Sequence, residues 1–244
     1  MKQFLLGREV GSGPLRIEGR EYHYLRNVLR LRKGDTFSGR DPAGRRYRLT
    51  VDSESPGALV LRAEPGEPPR LEDAACRIAL YQCVPKGRKM DQIVRQAAEL
   101  GVSRIATVVS ERTEICLDGK ERARGERWRR IAREAVQQSG AERLPEIAPP
   151  VGIEALYRPA EGRLRLVFHP AACDGKSLLA VLADAPRHVD VLVGPEGGLS
   201  AGEIRRLEEG GFIVISLGET VLRVETAVVA ALSAVKTALR ENRP

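Results

Sequence analysis

The stretch Val191-Leu-Val-Gly-Pro-Glu-Gly-Gly-Leu-Ser200 decides how the rest of the 244-residue chain is read. An apolar run passes directly into a turn with three glycines in five positions. Ser200-x-x-Glu203 then follows as a capping box that opens a helix. In an open α/β sheet, ligands sit at the carboxyl ends of the strands. Glycines there permit close backbone approach and positive φ. A tight turn without a ligand would explain the same composition. Two common phosphate cradles are disfavoured: Gly175-Lys176-Ser177 has no glycine five positions before Gly175, and no G-x-G-x-x-G occurs in the chain.

Working outward, Ser216-Leu-Gly-Glu-Thr-Val-Leu-Arg-Val-Glu-Thr-Ala227 repeats the pattern. A strand ends at Gly218, and Arg223, Glu225 and Thr226 precede an apolar helix, which Glu225 or Thr226 could cap. Upstream, strands are expected at Cys76–Cys83, Arg104–Val109, Leu164–Phe168, Val189–Val193 and Phe212–Leu217. Helices are expected around Met90–Ala98, Glu126–Gln138, Ser177–Ala183 and Glu225–Leu239. Alternation of this kind with near-continuous apolar strands implies a mostly parallel sheet covered on both faces.

Before residue 72 the grammar differs. Gly11-Ser-Gly-Pro14, Gly34-Asp35, Asp41-Pro-Ala-Gly44 and Ser55-Pro-Gly57 separate short strands such as Arg46–Val51 and Ala58–Ala63. Glu21–Arg32 reads as a helix with Tyr24, Val28 and Leu31 on its apolar face. We expect a small β-barrel-type module over 1–72, a stiff linker at Pro65-Gly-Glu-Pro-Pro69, and an α/β domain over 73–244.

Forty Lys and Arg against thirty-three Asp and Glu leave a formal charge of +7, which favours a polyanionic partner without bearing on the fold. The longest apolar stretch, Ala227–Val235, is less than half a bilayer span. Lys2, Gly7 and Arg8 interrupt the first residues too early for a secretion signal. Cys76, Cys83, Cys116 and Cys173 form no C-x-x-C pair and have no histidine at finger spacing. No metal site is expected, and a cytoplasmic location with reduced thiols is.

Taken together, Gly194-Pro-Glu-Gly-Gly198 with Glu203, Leu217-Gly218, and Leu222-Arg-x-Glu-Thr-Ala227 resemble the C-terminal signature of the ribosomal RNA small subunit methyltransferase E family. That family belongs to the SPOUT class of S-adenosylmethionine-dependent enzymes. The resemblance extends to Lys86, Glu99-Leu-Gly-Val102, Arg127-Trp128 with Ala135, Gln138-Ser139 and Pro145, and to His23-x-Leu25 with Val28-Leu-Arg30. Thr113 and Ala141 depart from the pattern, the latter with Arg143 close by.

The resemblance implies an α/β fold with a C-terminal trefoil knot, although knots are nearly absent from proteins, preceded by a PUA-like β-barrel. It also implies a homodimer, with small-subunit ribosomal RNA or the assembled small subunit as partner and no membrane. The implied reaction moves a methyl group from S-adenosylmethionine to N3 of a uridine in 16S rRNA. Phe168, His169, Gly194, Pro195, Glu196, Gly197, Gly198, Leu217, Gly218, Leu222, Arg223, Thr226 and Ala227 would surround the methyl donor. Loss of the N3 proton requires a base or a route for the proton, plus cationic or N–H groups near the carbonyls; Glu225 and Arg223 are assigned as base and cation, with Glu196 as an alternative base and organisation of the loop as an alternative role for Arg223. Other SPOUT enzymes methylate ribose hydroxyls or guanine, and a non-catalytic RNA-binding protein is the other alternative.

Charge placement sharpens the reading. Arg20–Arg48 holds nine basic and three acidic residues, and Lys120–Arg133 seven and two. Lys86, Arg88, Lys89 and Arg95 form a further patch. Such clusters suit a phosphate-tracking surface. His23, Arg26, Arg30, Arg32, Arg45, Arg46, Lys86 and Arg127 are the RNA-contact candidates. Tyr22, Tyr24 and Tyr47 could stack on bases or serve the core.

Overall fold

The computed structural model describes residues 3–11, 13–66, 76–113, 119, 121–170 and 177–241. The expected linker residues beyond Gly66, the boundary near 72, Lys120, Cys116 and Cys173 lie outside these. The chain forms two compact units, 1–72 with 136–142, and 73–135 with 143–244.

The first unit contains β1 (Gln3–Leu5), β2 (Leu15–Glu18), α1 (Gly19–His23), β3 (Thr36–Arg40), β4 (Arg46–Ser55) and β5 (Ala58–Pro65). Its sheet runs β1-β3-β4-β5-β2, antiparallel except for the β1–β3 pair. The order is open: β1 and β2 are the two edges, so hydrogen bonds between described strands do not close it into a barrel. Alternation does the packing. In β2, Leu15 and Ile17 are buried while Arg16 and Glu18 face solvent. Phe4, Leu25, Leu49, Leu59 and Leu61 form the centre. Gly39 is required there, because a Cβ would stand 2.3 Å from Leu49 Cδ1.

Helical structure over 21–32 is shorter than expected. α1 continues into a π-helical turn at Tyr24–Val28. This wider winding buries Leu25 and leaves Val28 60% exposed, contrary to the predicted apolar face. Tyr22, Tyr24 and Tyr47 pack against the core, with Tyr24 stacked on Phe4 at 6.2 Å. Their rings thus serve the first unit's interior.

The second unit contains β6 (Arg77–Cys83), α2 (Lys89–Glu99), β7 (Arg104–Val109), α3 (Glu121–Ser139, whose last four residues group with the first unit), β8 (Glu146–Ile147), β9 (Val151–Gly152), β10 (Leu164–Phe168), α4 (Leu178–Val181), β11 (His188–Val193), α5 (Ala201–Glu209), β12 (Phe212–Ile215) and α6 (Val224–Glu241). The sheet order is β12-β10-β11-β6-β7-β8, with β9 also on β7, and every pair is parallel. Leu80, Leu166, Val191 and Leu192 are fully buried, as expected where helices cover both faces. α2 ends at Gly101, whose φ of +76° suits a glycine C-cap. Lys236 of α6 donates to Leu100 O there at 2.7 Å, a favourable place for a cation.

The expected capping box is present: Glu203 N–H donates to Ser200 Oγ at 3.3 Å, and Ser200 N–H to Glu203 Oε2 at 2.7 Å. Glu203 also accepts the Glu111 N–H at 2.8 Å, so this buried carboxylate ties α5 to the loop after β7.

One cation lies almost wholly inside the sheet unit. Arg165 of β10 is 4% exposed; its guanidinium donates to the carbonyls of Leu156, Arg158 and Gly210 at 2.7–2.9 Å and lies 4.0 Å over the Phe212 ring. Asp190 Oδ2 stands 3.9 Å from its Nε, and Arg163 forks onto the same carboxylate. Removing one partner from a buried charged network leaves the others without donors. Arg165→Met is therefore expected to destabilise the protein by about 3–5 kcal/mol, read as a lower urea midpoint at unchanged m-value.

Candidate functional site

Three neighbouring strands set the site. β10 lies between β11 and β12 and all three run parallel, so the segments after Phe168, Val193 and Ile215 emerge side by side. Between them lies a cavity of about 370 Å³. Phe168 and His169 line it from the first segment. Gly194, Pro195, Glu196 and Gly198 come from the second, and Leu217, Gly218, Leu222, Arg223 and Ala227 from the third. Eleven of the thirteen residues expected around a ligand thus converge. Gly197 and Thr226 stand in the same segments but are not among the lining residues.

Each segment is locally fixed. Gly198 N–H closes a turn onto Pro195 O at 2.9 Å with φ +68° at Gly198. Arg112 Nη1 donates to Gly197 O at 2.8 Å. Beneath, the buried Gln82 amide donates to Cys83 O at 2.8 Å and, more weakly, to Val193 O and Gly194 O at 3.3 and 3.4 Å. In the third segment Gly218 has φ +121°, and its N–H donates to Ser216 Oγ at 3.1 Å. Arg223 O accepts the N–H groups of Thr226 and Ala227 at 2.9 and 2.8 Å. Glu225 and Thr226 therefore belong to the first turn of α6 and do not cap it.

The site's charges centre on Lys89, which lines the cavity from the first position of α2. Its Nζ stands 2.7 Å from Glu196 Oε1 and 4.0 Å from Glu225 Oε2. Burial pushes the Glu196 carboxyl up, but the Lys89 hydrogen bond and the N–H groups of Glu196 and Lys86 outweigh it and hold the group below its ordinary value. Glu225 Oε2 is buried and accepts no hydrogen bond from the described residues. Arg223 is exposed, and its guanidinium pairs with no described carboxylate. Burial depresses the His169 imidazole; its bond to the Leu199 backbone opposes this and Arg112 adds to it. The nearby Cys83 thiol is pushed up to about 12, chiefly by burial, and is unreactive at neutral pH.

Lys89, Pro170, Val193, Thr220, Val221 and Val224 also line the cavity and are not among the expected ligand contacts. Lys89 appeared only as part of a basic patch. One signal marks it: with Arg88 at the N-cap it places a cation where the helix dipole disfavours one, by about 0.3–1 kcal/mol.

The RNA-contact candidates divide. His23, Arg30 and Arg32 are exposed; His23 Nδ1 is 3.2 Å from the Asn27 amide, and Arg30 has φ +56°. Arg26 is paired with Glu54, Arg45 with Asp41 and Glu9, and Arg46 with Glu142. In the second unit, Lys86 is exposed and Arg127 forms a fork onto Asp91. Thr113 Oγ1 lies 2.9 Å from Ser110 Oγ, so the hydroxyl at this position is used locally.

The RNA methyltransferase domain family matches residues 72–236. A ribosomal RNA small subunit methyltransferase E of Aquifex aeolicus is 36% identical over 225 residues, covering 88% of this chain and 90% of that protein. The enzyme of that name from Neisseria gonorrhoeae, solved with bound S-adenosylmethionine, superposes with a TM-score of 0.83 at 27% identity over 97% of both chains. A Legionella pneumophila protein solved with the same molecule gives 0.83, 27% and 97% of both. Sequence and fold agree over essentially the whole length: the chain belongs to the ribosomal RNA small subunit methyltransferase E family.

Proposed function

We propose that this S-adenosylmethionine-dependent ribosomal RNA methyltransferase modifies N3 of a uridine in the small-subunit RNA. The observation that carries the reading is the convergence of the segments after β10, β11 and β12 on one cavity, with Glu196, Arg223 and the Lys89–Glu225 contact at it. The cavity suits the methyl donor. Its size falls within the range of small-molecule sites, and Phe168, Val193, Leu217 and Leu222 supply apolar walls. A Cβ on Gly194 would stand 3.3 Å from Leu199 Cγ, and around Gly218 nothing lies within 4 Å of the missing Cβ. At Gly218 the backbone is thus bare toward open space, while at Gly194 the missing side chain makes room for Leu199. Gly194, Pro195, Glu196, Gly197, Gly198, Leu217, Gly218, Leu222, Thr226, Ala227, Phe168 and His169 are assigned to it.

When bound, S-adenosylmethionine supplies a methyl group on a cationic sulfur. This chain's residues must make N3 of the base nucleophilic. The N3 lone pair is conjugated into the ring, and N3 reacts once its proton leaves and charge spreads onto O2 and O4. Glu225 is the assigned base, since its Oε2 is buried yet accepts no described hydrogen bond. Arg223, two residues earlier and unpaired, is assigned to the developing charge on a carbonyl oxygen.

RNA binding is assigned first to the exposed His23, Arg30, Arg32 and Lys86. Arg26, Arg45, Arg46 and Arg127 would exchange their carboxylate partners for phosphates. The five-stranded first unit, mostly antiparallel and curled around Leu25, is read as a PUA-like RNA-binding domain over 1–72. The parallel unit over 73–244 is read as a SPOUT domain with a C-terminal trefoil knot, acting as a homodimer in the cytoplasm. Among the described residues no helix is long and apolar enough to cross a membrane.

Titration calorimetry with S-adenosylmethionine should give saturable heat; its absence rejects the cofactor site. Glu225→Gln, assayed at saturating donor, should lower kcat by about a hundredfold or more; full turnover by the folded variant rejects the base assignment. Nucleoside mass spectrometry of small-subunit RNA from a strain lacking the protein should show loss of one N3-methyluridine, restored by the wild-type chain. Its persistence in that strain rejects the proposed target.

A further inference from the structure

The methyl donor and its demethylated product differ by one positive charge, that of the sulfonium, while sharing every other group. A site can tell them apart only through electrostatics close to that sulfur and through the missing methyl. Resting on the cofactor reading above, we infer that the Glu196–Lys89–Glu225 cluster sets the discrimination between charged donor and uncharged product, with Lys89 as the residue that tunes it.

Two carboxylates share one ammonium, at 2.7 Å and 4.0 Å, so the cluster carries a net charge of −1. Its carboxylates are three-quarters or more buried, at 24% and 18% side-chain exposure, where charges are less screened than in bulk water. Glu225 Oε2 has no hydrogen-bond donor of its own. Glu196 is satisfied twice over, by Lys89 and by the Lys86 N–H at 3.2 Å from both oxygens. The unspent negative charge therefore lies on the Glu225 side. Arg223, the other cation at the cavity, is exposed and its field is weakened by water. Burial disfavours the charged form of His169.

A lysine at the start of α2 works against the helix dipole, so local helix stability does not explain its presence. Its placement between two carboxylates at a cavity wall does. With Lys89 the cluster favours a cationic ligand by one charge. Without it the preference would grow, but both carboxylates would also be left to repel each other. The ammonium thus moderates the preference for the donor while offsetting the repulsion between the two carboxylates.

The test measures dissociation constants for S-adenosylmethionine and S-adenosylhomocysteine by calorimetry on the full chain, with folding checked by circular dichroism. Lys89→Met should shift the affinity ratio about tenfold further toward the charged donor, and Lys89→Arg should restore the wild-type ratio. Glu225→Gln should move the ratio the opposite way. Equal loss of affinity for both ligands in Lys89→Met, with no change in ratio, would mean a purely structural lysine and overturn the inference alone. If Lys89→Met does not fold, Glu225→Gln decides: a ratio moved toward the product supports the inference and an unchanged ratio overturns it. A wild-type protein that binds neither ligand overturns the cofactor reading and, with it, the inference.

Discussion

The buried guanidinium of Arg165 is the interaction on which the site's framework depends. It lies in β10, the strand flanked by both other cavity-forming strands, and it answers three carbonyls that no ladder hydrogen bond satisfies. Two of these, Leu156 and Arg158, bracket the turn that Gly210 approaches so closely that a Cβ would stand 2.7 Å from Tyr157 O. The third belongs to Gly210 itself, just before β12. Arg165 therefore secures the approach of β12 to β10, and with it the position of Leu217 and Gly218 one strand-length away. An apolar residue could fill the volume but could not satisfy the carbonyls.

From that anchor, the site follows by geometry. Parallel pairing of β12, β10 and β11 sends three chain segments out of the same edge of the sheet. Each then needs its own device to stay in place: the Pro195–Gly198 turn with Arg112, the Ser216 hydroxyl under Gly218, and the Arg223 carbonyl at the start of α6. None of these uses a side chain that faces the ligand space. Recognition groups and supporting groups are thus separate.

How much of this was legible in the chain differs by feature. The glycine turn, the Ser200–Glu203 capping box and the alternation of strands and helices were readable because they are local, and each rests on residues a few positions apart. The convergence of His169, Gly194 and Gly218 was reached through motif resemblance, since strand order is not local information. Lys89 is legible only as part of a basic patch for the same reason: its partners lie 107 and 136 positions away in sequence, Glu196 brought near by the β6–β11 pairing and Glu225 by the packing of α2 against α6. Val28 departs from the helical period because a π-helical turn shifts the buried face to Leu25. Tyr22, Tyr24 and Tyr47 illustrate the converse. Aromatic residues inside a basic segment suit base stacking by composition, but a sheet this small needs their area for its core.

The pairing pattern of the arginines also bears on the chemistry. An imide N–H is a far weaker acid than a carboxylic acid, so proton transfer from N3 to Glu225 is uphill unless the ring anion is stabilised as it forms. That stabilisation can come from N–H donors or from a cation whose charge is not already spent on a carboxylate. Arg26, Arg45, Arg46 and Arg127 are each committed to an acidic neighbour, and Lys89 is shared between two. Arg223 alone among the cavity's cations pairs with no described carboxylate. Its five donors are therefore available to an oxygen of the substrate, two residues from the carboxylate that would take the proton. On the proposed reaction, acid–base and electrostatic functions fall on neighbouring positions of one helix start, so that a single backbone turn sets their spacing.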